Sequence, residues 1–119
     1  MSDEFLKVAT AEINNEISEI QTILNSCQSS LDVYANAAKI QKSTHKIKGL
    51  APMMGKEDLG DLSSLLDSLL KKIMNGIVVN EMLDSLIIAV DEMKKSMTCP
   101  DYNLDKIKQK ISHLSSALS

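Results

Sequence analysis

The sequence predicts an all-α fold: an antiparallel up-down-up-down four-helix bundle with a fifth helix at its C-terminal end. Two features carry that expectation. Apolar residues return at spacings of three and four in five successive segments, the period of helices that bury one face, and no segment alternates as a half-buried strand would. Aromatic residues make up only 3 % of the chain (Phe5, Tyr34 and Tyr102, with no Trp), so the core must be built from Leu, Ile, Val and Met, which suits packed helices. At 119 residues the chain fits a single domain, 1–119, with room for a real core.

The first helix is expected over about 3–26. Ser2, Asp3 and Glu4 offer a cap and early negative charge, and Leu6, Ala9, Ile13, Ile17, Ile20, Leu24 and Cys27 form its stripe. Ser29 or Ser30 can cap the second, over about 31–54, on Val33, Ala37, Ile40, Thr44, Ile47, Ala51 and Met54. Gly49 and Pro52 oppose a helix there, the glycine by roughly 1 kcal/mol against Ala and the proline by removing a backbone bond. Seven unbroken stripe positions outweigh them, and Gly55 supplies the stop. The third helix, about 57–75, runs on Leu59, Leu62, Leu66, Leu69 and Ile73, with Lys71 and Lys72 at its negative end and Asn75-Gly76 closing it. Asn80 caps the fourth, about 80–98, on Leu83, Leu86, Val90, Met93 and Met97, and Pro100 ends it. Asp101 or Asn103 starts the fifth, about 102–117, on Leu104, Ile107, Ile111, Leu114 and Leu118, and the end from Ser112 to Ser119 is expected to fray. Short loops before and after the third helix predict antiparallel neighbours, with the fifth helix packed on the end or side of the bundle.

Composition narrows the function. A net charge of −3, a pI near 5.3 and few aromatics leave neither the basic face nor the stacking platforms that nucleic acids require. No run of about 20 apolar residues exists and the N-terminus lacks a basic signal region, so a cytoplasmic chain without membrane insertion is expected. Cys27 and Cys99 lack metal-ligand spacing, and no disulfide is expected in a reducing compartment. The seven methionines read as pliable core and contact filler, since no Glu-x-x-His pair for a metal bundle is present.

The chain's chemistry concentrates in Thr44-His45-Lys46-Ile47-Lys48-Gly49-Leu50-Ala51-Pro52-Met53-Met54-Gly55. At 100° per residue His45 lies about 140° from the centre of the second helix's stripe, facing solvent. Lys42 at i−3 and Lys48 at i+3 can each reach a group bound to the ring, and Gly49 at i+4 leaves room for another surface to approach. His45 precedes Gly55 by ten residues and Asp67 follows it by twelve, so on antiparallel helices they return to nearly one height. Asp67 is therefore the candidate to hold the ring, with Ser63 and Ser64 one turn away as lesser ones. His113 has no such partner set and reads as a surface residue, as an isolated exposed histidine usually does.

The pattern Lys42-x-x-His45-x-x-Lys48-Gly49-Leu50-Ala51-x-x-Met54-Gly55 resembles the signature of histidine-containing phosphotransfer (HPt) domains, most closely the N-terminal phosphotransfer domain of CheA-type chemotaxis histidine kinases. The motif covers about 14 residues, while the helical layout is similar over nearly the whole chain. The resemblance implies that His45 takes a phosphoryl group on its ε nitrogen from a histidine kinase catalytic domain and passes it to the aspartate of a response-regulator receiver. Lys48 would assist the phosphate, Asp67 would hold the ring, Gly49 would admit the partner, and Lys42, Lys46 and Pro52 would lie on the contact surface, although Lys46 also reads as a bystander on a solvated face. ATP and Mg²⁺ would belong to the partner domains, and this domain, monomeric by itself, would need no cofactor; it has no Gly-rich phosphate loop.

Three departures stand out. The family usually carries glutamate where Asp67 stands, and often a histidine where this chain has Ser64. Aspartate is one methylene shorter, so a direct bond to His45 and a water-bridged one both stand open. Pro52 replaces a commonly small residue and can alter the helix end beside the site. A free-standing relay between two receivers is the alternative within the same class, and a helical adaptor without phosphorylation is the alternative outside it.

Overall fold

The computed structural model describes residues 2–77 and 81–118. Five helices account for the secondary structure of the described residues: α1 (Asp3–Ser26), α2 (Ser30–Met53), α3 (Glu57–Met74), α4 (Met82–Thr98) and α5 (Asp105–Ala117), with no strand. Their ends follow local chemistry. The Ser2 hydroxyl accepts the Phe5 N–H at 3.1 Å and caps α1. At the start of α2 the Ser29 hydroxyl makes no cap bond; instead the Asp32 carboxylate accepts the Gln28 N–H at 2.7 Å. Both predicted glycine stops close Schellman turns. Gly55 has φ +79° with Gly55 N–H on the Pro52 carbonyl and Lys56 N–H on that of Ala51, and Gly76 has φ +95° with Gly76 N–H on the Ile73 carbonyl and Ile77 N–H on that of Lys72.

Two helix starts differ from expectation, and the end expected to fray is helical. Helix α5 begins at Asp105 rather than near 102, because Asp101 adopts φ +58° and the Asn103 carboxamide oxygen accepts the Asp105 N–H at 2.7 Å. Its serine-rich end is helical through Ala117, held by the Lys72 ammonium on the Ser115 carbonyl at 2.7 Å. Helix α4 begins at Met82, and the expected cap Asn80 lies outside the described residues.

The buried stripes are those the periodicity marks. Ile13, Ile17 and Ile20 of α1, Val33, Ala37, Ile40 and Ile47 of α2, and Leu59, Leu62, Leu66 and Leu69 of α3 join one core with Leu86, Val90 and Met93 of α4 and Ile107 and Ile111 of α5. On α4 the inward face also takes Met82 and Ala89, while Leu83 and Met97 sit at its edge. Helix α2 packs against α1 and α3, α4 against α1, and α5 against both α3 and α4. Helix α2 also touches α4, and the Lys56 ammonium at the start of α3 donates to the Ser96 carbonyl of α4 at 3.1 Å. Helix α5 is tied to α3 at both ends, by Lys72 and by Lys108, which lies 3.1 Å from Asp58.

Helices α2 and α3 run antiparallel and unusually close. At Gly60, a Cβ would stand 2.7 Å from Cγ of Pro52. Two turns further along the pair, His45 meets Asp67. Pro52 thus ends its helix with its ring laid against a glycine that alone leaves space for it.

Candidate functional site

Buried Thr44 and Ile47 hold α2 against the core on either side of His45 and Lys46 and force those two residues outward. The His45 side chain is 64 % exposed, while its Nδ1 turns inward and lies 3.6 Å from Oδ1 of Asp67. That distance is longer than a hydrogen bond, as the shorter aspartate side chain allows, so the two groups couple through charge and dipole. Asp67 is 2 % exposed, and a buried carboxylate persists only where it is paired.

Its pairing is divided between its two oxygens. On Oδ1, the Gln41 carboxamide donates from Nε2 at 2.5 Å, beside the edge of the His45 ring. On Oδ2, the ammonium groups of Lys71 and Lys48 stand at 3.3 and 3.6 Å. Burial pushes the Asp67 carboxyl up, but the Gln41 bond, the Lys71 bond and charge, and the Lys48 charge together outweigh it and hold the group below the usual carboxylate range. Asp67 is therefore an anion at neutral pH. An anion facing Nδ1 favours the imidazole tautomer with its proton there, which leaves the Nε2 lone pair on the solvent side.

The structure brings His45, Lys48 and Asp67 together and places the other predicted residues around them. Gly49 is exposed, and a Cβ there would meet nothing within 4 Å among the described residues. Lys46 turns away to α1, where its ammonium bonds Glu12 at 3.0 Å and Glu16 at 3.2 Å. Lys42 is on that same side, in a groove with Lys39, Ser43, Glu16, Glu19 and Ile23, across the helix from Lys48. Pro52 packs on Gly60. Ser63 is fully buried with no partner for its hydroxyl among the described residues, and neither it nor Ser64 is bonded to His45 there. His113 is exposed on α5. Cys27 and Cys99 are free thiols.

Three residues escaped sequence reasoning: Gln41, Lys71 and Gly60. Lys71 had a readable signal, since it is i+4 from Asp67 on one helix face. Gln41, at i−4 from His45, becomes visible only once Asp67 is known to reach across. No group of His, Cys, Asp and Glu among the described residues has the arrangement of a metal site, and no helix is long and apolar enough to cross a membrane. Compared with family models, with curated proteins and with solved structures, the chain has no match.

Proposed function

We propose that this chain is a phosphotransfer domain of two-component signalling, of the kind that serves CheA-type chemotaxis kinases in the cytoplasm. In this reading the helices form an up-down-up-down bundle with α5 alongside, and His45 shuttles a phosphoryl group from a histidine kinase's ATP-binding domain to a receiver aspartate. The observation that carries it is an exposed imidazole whose inner nitrogen faces a buried, ionised carboxylate with Lys48 on the same anion.

The chemistry follows from those positions. The Nε2 lone pair attacks the γ-phosphorus as the bond to the nucleoside diphosphate breaks. Positive charge then builds on the ring, and the Asp67 anion behind Nδ1 offsets it. Lys48, half exposed beside the ring, is free to lean from Asp67 toward the incoming phosphoryl oxygens. In the second transfer a receiver carboxylate oxygen attacks phosphorus, the N–P bond breaks and the electron pair returns to Nε2. Because Nδ1 keeps its proton, the leaving group is a neutral imidazole. The adenosine nucleotide and the receiver's acceptor site come with the partners, so this chain acts by presenting one nitrogen and tuning it.

Gly49 supports the same reading. A glycine within a helix costs roughly 0.5–1 kcal/mol relative to Ala, and none of the described residues needs the space. A surface that must pass close to His45 does need it.

Incubation with a cognate kinase and ATP, or with a receiver and acetyl phosphate, followed by intact mass, tests the proposal. One acid-labile phosphoryl group is expected on the native chain and none on His45→Gln, with the circular dichroism of the two superimposable. Labelling of His45→Gln would move the site elsewhere, and no labelling of the native chain by any donor would favour a helical adaptor.

A further inference from the structure

We propose that Gln41 is a positioning residue that keeps one oxygen of Asp67 turned toward the His45 ring, an inference that rests on the reading of His45 as the working nucleophile. The Asp67 carboxylate stands between unequal attractions. Lys48 and Lys71 both approach Oδ2, within 3.6 and 3.3 Å, while His45 offers Oδ1 a single N–H at 3.6 Å. Rotation about the last side-chain bond would let both oxygens share the two ammonium groups and leave His45 facing no acceptor. Against that rotation stands the Gln41 bond to Oδ1, the shortest contact that the carboxylate makes.

Gln41 is suited to the task by place and by chemistry. It is one turn before His45 on α2, so its amide and the imidazole reach Asp67 from the same helix and cannot drift apart. The buried Thr44 hydroxyl bonds the Gln41 carbonyl at 3.0 Å, and the side chain is itself partly buried. A carboxamide donates a hydrogen bond without adding charge. A lysine there would put a third cation on the anion and weaken its hold on the ring. A leucine would fill the space and leave Oδ1 to turn.

The tautomer of His45 reads this directly, through the ring ¹⁵N shifts of the unphosphorylated protein. The native chain is expected to hold mainly the Nδ1–H form. Gln41→Leu, and the smaller Gln41→Ala should the larger residue disturb the packing, should move the ratio toward Nε2–H by at least threefold. Lys46→Met, on the α1 side of the same helix and away from Asp67, should leave the ratio in place. Phosphorylation by phosphoramidate should slow severalfold in the Gln41 variants with the helical circular dichroism kept. An unmoved ratio in both Gln41 variants overturns the inference, and so does an equal shift in Lys46→Met. A native chain that accepts no phosphoryl group while the ratio still moves would overturn the proposed function and leave the positioning role of Gln41 standing.

Discussion

The two flanks of α2 use the same side-chain chemistry under opposite conditions. Toward α1, Lys46 pairs with Glu12 and Glu16 at 3.0 and 3.2 Å, with half of the lysine side chain in solvent. Toward α3, Lys48, Lys71 and Gln41 converge on Asp67, of which 2 % is exposed. The lysine–carboxylate distances on the exposed flank are the shorter ones, yet that flank carries little: water and salt screen the pair, and long side chains lose freedom to form it. On the buried flank each partner of the carboxylate matters, since no water stands ready to replace a missing one. Direction follows from burial as well. Exposed carboxylates swing, whereas the oxygens of Asp67 are assigned, one to Gln41 and the ring, one to the lysines.

That contrast can be broken or sharpened by substitution. The largest effect is expected at Asp67. Asp67→Ala should lose about 1.5–3 kcal/mol in urea unfolding, the range for hydrogen bonds to a charged group. Its pH dependence has a definite sign. The folded carboxyl is held below its ordinary value, so its stabilisation is complete above about pH 4 and disappears as pH falls through the lower folded value. The stability difference between native chain and variant should therefore narrow on acidification; a gap that did not change with pH would mean Asp67 acts by packing alone.

Gly60→Ala comes next. Its Cβ would meet Pro52 Cγ at 2.7 Å and Cδ at 3.0 Å, a ring with little room to yield, and overpacking of this kind costs about 1–3 kcal/mol. A thermal melt equal to the native one would show that α2 and α3 can part freely. Gly49→Ala should do the reverse and stabilise by about 0.5–1 kcal/mol, because the new methyl meets nothing within 4 Å. If partners pass over Gly49, that more stable protein transfers phosphate more slowly; equal stopped-flow rates would remove the glycine from the contact. The smallest effect belongs to Lys46→Ala, a loss near experimental error at low salt that vanishes at about 1 M salt, where the screening length falls to ~3 Å. A large, salt-resistant loss would erase the distinction between the flanks.

Much of this was legible in the residue order. The apolar stripes of α1, α2 and α3 became the core almost position for position, and Gly55 and Gly76 ended their helices as glycine stops do. The counting that put His45 and Asp67 at one height across the α2–α3 turn was sound, because helical rise is the same on both strands of the count. Other features did not show. Pro52 read as a residue that bends a helix end, and its larger part in the structure is a contact with a glycine on the next helix. Lys42 and Lys48, both three residues from His45, read as a matched pair, but one faces the α1 groove and the other Asp67.

By itself the sequence determined five helices, their inward faces and an imidazole pointing away from the core, because rise and angle along one helix are properties of its backbone. Only the tertiary structure decided that Gln41 and Lys71 share the Asp67 carboxylate, that Gly60 makes room for Pro52, and that α5 lies on both α3 and α4. The rotation and axial offset of one helix against another are set by how all their side chains interlock at once, and no periodicity within a single segment records that sum.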